Sequence, residues 1–317
     1  MTAIATLARA DTTEPAHRWR RSAGAEKIAR ANAPRLSPRL QLIRAVLVLF
    51  LVMTGTLLLQ LVFVSSLQHS AAQGRAFDAF RSDLATGTAP VGPTDSAGRV
   101  LALGTPVAFI EIPSLGVSEV ISEGTTASVL FDGPGHRRDT PLPGQIGSSI
   151  VFGRRAAFGG PFSDISELKK DAIVRVTTGQ GIFEFKVLGV RREGMPAPTA
   201  PAAGSGRLVL VTAAGRAFLP EGVLRVDADL VGQAAVGPAR LITAAGLPAN
   251  ERVMAGDAGT LWVLAFWLQA LIALSLAVVW SWHRWGRAQT WVVLLPPLLL
   301  VGLAASGEVA RLLPNLL

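Results

Sequence analysis

The sequence contains no cysteine and no tyrosine, and it has only four histidines, His17, His69, His136 and His283. A chain without cysteine forms no disulfide, thiolate zinc site or iron–sulfur cluster, and it has no cysteine nucleophile. Charge is also scarce, since 16% of the 317 residues are charged while 50% are hydrophobic. A soluble domain is usually nearer about a quarter charged. The composition therefore predicts that part of the chain faces lipid, and it indicates no cofactor.

The net charge of +8 is concentrated outside the central part of the chain. Residues 1–44 carry nine Lys and Arg against three acids, whereas residues 65–257 carry 18 of each sign. A neutral central region is a poor phosphate binder, which argues against nucleic acid as a partner. The positive charge instead flanks apolar runs, as the positive-inside rule expects.

Three apolar runs predict transmembrane α-helices at residues 45–67, 258–282 and 288–306. The first has 23 residues without a charge, enough to cross about 30 Å of hydrocarbon as a helix. A cleaved signal peptide is the alternative, but its apolar region is shorter and its basic region lies nearer the start. We expect a multi-pass membrane protein with the basic tail, residues 1–44, in the cytoplasm and residues 68–257 outside it.

The small residues near the end of the third run suggest a helix-packing surface. They are Gly302, Ala304, Ala305 and Ser306. One anchor suffices to hold a domain at a membrane, so the additional hairpin points to an integral membrane partner and to a hetero-oligomer. The alternative is that all three spans are plain anchors.

Residues 105–231 predict a mainly β domain, bounded by a stalk and linker at 68–104 and a second linker at 232–257. Phe183, Phe185 and Val187 share one face of a strand, and Gly179-Gln180-Gly181 predicts a hairpin. Short helices are predicted at 126–130 and 163–168. Seven or eight short strands indicate a small barrel or a sandwich. The strands are predicted at 107–112, 119–122, 149–152, 173–178, 182–190, 208–212 and 223–231.

An ordered series of short motifs runs through this domain, and each motif taken alone is weak. The series comprises IPSLGV at 112–117, EGT at 123–125, GPGH at 133–136, TPLPG at 140–144, IVFG at 150–153, FGGPF at 158–162, LK at 168–169 and LVLVT at 208–212. In its order and spacing it resembles the sortase family, especially the class D and E enzymes of Gram-positive bacteria. The resemblance covers residues 108–231 and implies an eight-stranded sortase-type β-barrel.

Sortases are transpeptidases that cleave a sorting signal and join its acyl part to a cell-wall or pilin amine. The family uses a Cys nucleophile, a His acid and an Arg that stabilises the oxyanion. The resemblance places these three roles at Ala213, Arg154 and Val223 respectively. Arg225 lies on the same face as Val223 and would take the Arg role after a shift of two residues, or it is an ordinary surface arginine.

These departures imply a pseudosortase without a catalytic residue. Alanine has no nucleophilic atom, and an arginine keeps its proton at physiological pH. The retained fold would still offer a binding groove. Its candidate residues are His136, Arg154, Arg155, Thr212, Ala213 and Arg225.

Other chemistry is weighed against this interpretation. His136 lies in a loop motif that in the family is not the catalytic position, which favours a structural role. Asp132 and Asp139 flank it, but a Gly/Pro loop fixes no ligand geometry, so no metal site is predicted. Thr212, Ser148 and Ser149 are hydroxyl candidates without an identifiable base.

The sequence therefore favours a non-catalytic binding, scaffold or accessory subunit at the cell surface. Its partner would be an extended peptide, a surface protein or an integral membrane protein. The alternatives are a cysteine-independent peptidase or transpeptidase and a structural spacer in the envelope.

Overall fold

The computed structural model describes residues 37–317. The chain divides into two compact units, residues 1–50 and residues 51–317. Most of the predicted basic tail, residues 1–36, lies outside the described residues. The first unit is described from Ser37 and contains the beginning of helix α1, and the second unit contains the rest of the structure.

The first helical region changes from apolar to polar along its length. Helix α1, Pro38–Leu59, leads through a π-helical turn at Gln60–Val64 into helix α2, Ser65–Thr86. Gly87, with φ of +67°, ends α2 in the left-handed conformation that glycine adopts without strain. The polar helix α2 buries Phe80 against the barrel, so it is an extension of the apolar helix that supports the domain.

The C-terminal region forms a helical hairpin, α4, Leu261–Arg284, and α5, Arg287–Leu312. Three helices are long and apolar enough to cross a membrane, Leu49–Thr86, Ala258–Ser281 and Ala288–Leu312. The chain is therefore associated with a membrane, in agreement with the three predicted transmembrane helices.

The small-residue surface of α5 packs against the chain itself. Ser306 Oγ lies 3.3 Å from Thr56 Oγ1, and a Cβ at Gly302 would lie 2.9 Å from Cγ2 of Thr56. Ala305 is also fully buried. The patch in which the sequence suggested a surface for a partner helix is thus occupied by this chain's own first helical region.

The central domain is a closed barrel of eight strands in the order β1-β2-β3-β4-β7-β8-β6-β5. The pairs β2–β3 and β4–β7 are parallel, and the remaining pairs are antiparallel. A short helix, α3, Ala127–Asp132, lies between β2 and β3. The strands are β1 Pro106–Ile112, β2 Val117–Glu123, β3 Gly135–His136, β4 Gly147–Phe152, β5 Ile173–Thr178, β6 Gly181–Arg192, β7 Gly206–Arg216 and β8 Leu219–Val231.

The seven predicted strands are confirmed, and the barrel settles the choice between barrel and sandwich. Strand β3 was missed because two residues carry no alternation pattern. The helix predicted at 163–168 is only a 3₁₀ turn, Ile165–Glu167. Asp227 of β8 is buried, and it forms an ion pair with Arg191.

The segments that flank the barrel lie against it. Leu101, from the region predicted as a linker, is part of the main core, and Gln145 donates to the carbonyl of Val91 at 2.8 Å. On the other side, Glu251 is buried and pairs with Arg138. Both segments therefore contribute to the domain.

The side-chain amide of Gln73 connects α2 to strand β2 by hydrogen bonds to backbone groups, as a neighbouring strand would. Its Oε1 accepts a hydrogen bond from the Val120 N–H at 2.7 Å, and its Nε2 donates to the carbonyls of Val120 and Asp132 at 3.2 and 2.7 Å.

Gln73→Ala leaves these backbone groups unpaired, which we expect to lower the free energy of unfolding by about 1–3 kcal/mol. Denaturant unfolding of the full chain in detergent measures this value, with the exposed Ser70→Ala as the matched control. Equal losses in both variants would contradict the assignment.

Candidate functional site

The three positions that the resemblance assigns to catalysis lie at one end of the barrel. Ala213 of β7 is directly opposite Val223 of β8. Strand β4 ends beside β7, where the Gly153 N–H donates to the Val211 carbonyl at 3.0 Å. Arg154 follows at once, and the barrel topology therefore brings all three positions together.

Arg154 is completely buried. Its three guanidinium nitrogens have no hydrogen-bond partner among residues 37–317. The guanidinium carbon lies 4.9 and 5.1 Å from the ring centroids of Phe131 and Phe158, which are stacked on each other. Burial lowers the pKa of Arg154 to about 9, so the side chain still carries its proton at neutral pH. It is held by cation–π attraction and is unable to accept a proton as a histidine would.

Ala213 lies under a short segment from the end of α5. The side chain of Ala213 is 1% exposed and that of Leu316 is not exposed at all. Leu316 belongs to one apolar cluster with six residues of α3, β4, β7 and β8, namely Leu130, Phe152, Val209, Val211, Ala213 and Val223. The position of the family's nucleophile is thus covered by the protein itself.

Backbone and side-chain hydrogen bonds hold this segment, residues 313–317, in place. The Arg155 N–H donates to the Leu316 carbonyl at 3.0 Å, and the Asn315 N–H donates to Ala255 at 2.9 Å. Asn315 Nδ2 also donates to the carbonyls of Thr125 and Arg252, both at 2.9 Å. Sequence analysis missed the 313–317 segment because five residues after a transmembrane helix carry no periodic pattern.

Arg155 and Thr212 lie beside the same positions but face different ways. Arg155 is partly exposed, and its Nη1 donates to the Ala213 carbonyl at 3.4 Å. Thr212 is fully buried on the face that β7 turns toward the barrel interior, where Leu210 and Ala214 also lie. Its hydroxyl has no partner among the described residues.

His136 lies apart from this group. Its Nδ1 is 2.8 Å from Glu123 Oε2, and its Nε2 is 3.0 Å from the Pro141 carbonyl. Burial lowers the pKa of His136, but the charge and hydrogen bond of Glu123 outweigh burial, so the pKa lies above its usual value. Through its contacts with Glu123 and Pro141, His136 holds the loops within residues 133–144 against the barrel. The neighbouring Asp139 pairs with Arg137 at 2.6 Å.

A cavity of about 340 Å³, here called the groove, opens beside the covered positions. Its floor is the outer face of β4, β7 and β8, and its roof is the loop that precedes β7. The floor residues Phe152, Val209 and Val211 are shared with the apolar cluster under Leu316. The remaining apolar lining comes from Ile150, Ala197, Pro198, Ala200, Pro201 and Val253.

Four arginines also line the groove, and three of them have carboxylate partners. The pairs are Arg137 with Asp139 at 2.6 Å, Arg191 with Asp227 at 2.5 Å and Arg207 with Asp229 at 2.6 Å. The side chain of the fourth, Arg225, makes no hydrogen bond or ion pair within the described part of the chain. Burial and the nearby charge of Arg191 lower its pKa, with Glu193 and Asp227 acting in the opposite direction.

The barrel is similar to a known protein domain. Residues 110–216 match the family model of the sortase domain, so the chain contains a sortase domain, and its closed eight-stranded barrel is that of sortases. No curated protein sequence matches the chain significantly.

Three solved structures illustrate the similarity. A sortase D5 transpeptidase from Clostridium perfringens is 22% identical over 51% of this chain and 99% of its own, with a TM-score of 0.42. Sortase C-1 from Actinomyces oris is 26% identical over 40% of this chain and 75% of its own, with a TM-score of 0.36. Sortase E1 from Streptomyces coelicolor, solved with a tripeptide in its active site, is 22% identical over 41% of this chain and 91% of its own, with a TM-score of 0.35.

The cover over Ala213 predicts slow labelling of a thiol placed there. Burial of a leucine side chain stabilises the closed arrangement by about 1.5–3 kcal/mol. We therefore expect Ala213→Cys to react with a maleimide about 10- to 100-fold faster when Leu316→Ala is added. The natural chain contributes no thiol of its own. Ser148→Cys, which lines the open groove, is the control and should not respond to Leu316→Ala. Equal rates for Ala213→Cys in both backgrounds would contradict the cover.

The ion pair of His136 and Glu123 predicts a pH-dependent stability. Because the folded-state pKa of His136 is raised, its contribution is fully present below the unfolded pKa of about 6.5 and is lost as pH rises through the folded value. The free energy of unfolding, measured in urea at intervals from pH 6 to 9, should therefore fall across that range. His136→Gln should flatten the profile, and the exposed Ser70→Ala, which removes no titratable group, should leave the slope unchanged. The same slope in the wild type and His136→Gln would refute the assignment.

Proposed function

We propose that this protein is a membrane-anchored sortase-domain protein that binds a partner at the cell surface without catalysing transpeptidation. The proposal is supported above all by the residue found where sortases have their nucleophilic cysteine. Ala213 stands there in a chain that has no cysteine, and Leu316 covers it. No movement of loops supplies a thiol to such a site.

The neighbouring groups do not replace the missing chemistry. Acyl transfer needs a nucleophile that a base activates and a group that returns a proton to the leaving amine. Arg154 retains its proton and is enclosed by aromatic rings. Both nitrogens of His136 are occupied by Glu123 and Pro141. The hydroxyl of Thr212 faces the barrel interior.

The groove beside the covered site supports a binding role. Sortases bind peptide sorting motifs, and one from Clostridium perfringens has been solved with a C-terminal cell wall sorting motif. In this chain the groove keeps an apolar floor and a roof rich in Pro and Ala while the reaction centre is closed. We therefore infer an extended peptide or a surface protein as the partner. A partner helix in the membrane is less well supported, since Thr56 occupies the small-residue patch.

Charge supports one orientation in the membrane. Residues 1–44 carry a net charge of +6 and residues 65–257 a net charge of zero. By the positive-inside rule the basic tail is cytoplasmic and the barrel is extracytoplasmic.

Single cysteines test this orientation in the cysteine-free chain. Ser118 is an exposed residue near the start of β2, and Ser22 lies in the basic tail. A membrane-impermeant maleimide added to intact cells should label Ser118→Cys, and it should label Ser22→Cys only after lysis. The reverse pattern would place the barrel in the cytoplasm and overturn the proposed location.

Cleavage of fluorogenic sorting-signal peptides tests the proposed lack of catalysis. We expect no turnover above a no-protein control for the wild type, for Ala213→Cys or for Arg154→His. A lone thiol lacks a proton donor for the leaving amine and a lone histidine has nothing to activate, and members of a catalytic unit are strongly non-additive. The double variant is the smallest set able to recover activity, and Leu316→Ala should then be needed to admit the peptide. Wild-type turnover that is insensitive to thiol reagents would instead establish a cysteine-independent transpeptidase.

A further inference from the structure

The groove contains one arginine whose side chain forms no ion pair within the described structure. Arg137, Arg191 and Arg207 each pair with an aspartate, whereas the side chain of Arg225 makes neither an ion pair nor a hydrogen bond within residues 37–317. Its side chain is partly buried and lines the cavity. A partly desolvated guanidinium usually pairs with a carboxylate or phosphate, so its isolation is informative.

The strand register explains why Arg225 has no partner. Arg225 of β8 lies directly opposite Arg191 of β6, and like charges in opposite positions repel. Asp227 also attracts Arg225, but it is already bound by Arg191 through two contacts, Nε to Oδ2 at 2.5 Å and Nη2 to Oδ1 at 3.3 Å. Glu193 attracts Arg225 as well, without forming an ion pair with it among the described residues, so the guanidinium of Arg225 lines the cavity without a bound carboxylate.

The apolar lining limits what kind of anion fits. Ile150, Val209 and Val211 form a floor beside Arg225, and Pro198 and Pro201 lie opposite in the roof. The volume of about 340 Å³ is at the lower end of the range for ligand sites, which suits a short stretch of side chains. Phosphate polymers offer the charge but no apolar group for this floor.

The strands that form the floor of the groove cannot bind the backbone of a peptide by strand pairing. Strand β7 is paired with β4 and β8, and β8 is paired with β7 and β6, so neither offers a free edge. The ligand must therefore be recognised through its side chains, by one charge and by apolar contact. Toward Ala213 the 313–317 segment closes the path, which confines the ligand to the groove.

We propose that the groove binds an acidic peptide segment, whose Asp or Glu carboxylate pairs with Arg225 while an adjacent apolar side chain lies on the floor of β4, β7 and β8. This inference rests on the proposed binding function and specifies its ligand class. The bidentate match between guanidinium and carboxylate makes Arg225 the specificity-determining residue.

Matched peptide arrays test the proposal with the full-length protein in detergent. One array contains capped tetrapeptides with a single Asp or Glu among varied apolar residues, and the other replaces each Asp by Asn and each Glu by Gln. We expect the protein to bind its best acidic peptides about 10- to 100-fold more tightly than their amide counterparts. Arg225→Gln should abolish this difference, and Arg225→Lys should preserve part of it. Arg175→Gln, an exposed arginine paired with Glu184 on β6, is the matched control and should retain the full difference.

A charge exchange distinguishes recognition from a general loss of structure. Arg225→Glu should favour peptides in which Lys replaces the acidic residue, an outcome that misfolding does not produce. Equal binding of acidic and amide peptides by the wild type would overturn this inference and leave the binding function intact. Binding of polyphosphate without any acidic peptide, or no binding on either array, would also overturn it. Cleavage of the peptides, followed separately by mass spectrometry, would instead overturn the proposed function.

Discussion

The burial of Leu316 in one apolar cluster with Ala213 and Val223 is the interaction on which the closed state of this site depends. An alanine opposite a valine leaves a shallow apolar hollow at the end of β7 and β8. A leucine fills such a hollow favourably, whereas a thiolate and a guanidinium at the same two positions would lose their hydration under it. Ala213, Val223 and the covering Leu316 are all apolar. Each of them therefore favours a closed site from which water is excluded.

Arg154 and Arg225 differ in how their positive charges are surrounded. Arg154 is sealed between the barrel and the helices, where Phe158 also packs near Ala310 and Leu61. Among the described residues only the rings of Phe131 and Phe158 contact its guanidinium in this way, and cation–π attraction of about 2 kcal/mol offsets only part of the desolvation of an ion. Arg225 is on the open side of the same strands, where a ligand is able to approach. The buried Arg154 and the cavity-lining Arg225 therefore differ in their access to a ligand.

The sequence allowed the barrel to be predicted because strands such as β6 alternate, as Phe185 and Val187 show, and because the resemblance in motif order assigned Arg154, Ala213 and Val223 to one site. It did not allow the cover to be predicted. Residues 313–317 have no local pattern, and their position follows from hydrogen bonds to residues more than a hundred positions away in Thr125 and Arg155. The burial of Arg154 was also missed, because arginine is normally exposed.

The most direct test of this account is a cross-link between the cover and the site. In the cysteine-free chain, Ala213→Cys with Leu316→Cys should form an intramolecular link with dibromobimane, a short thiol-to-thiol reagent. The pair Ala213→Cys with Val223→Cys, whose residues are opposite each other on β7 and β8, serves as the positive control. The account predicts that both pairs link with comparable efficiency in membranes. Linking of the control pair alone would show that Leu316 does not cover Ala213, and it would contradict the central claim.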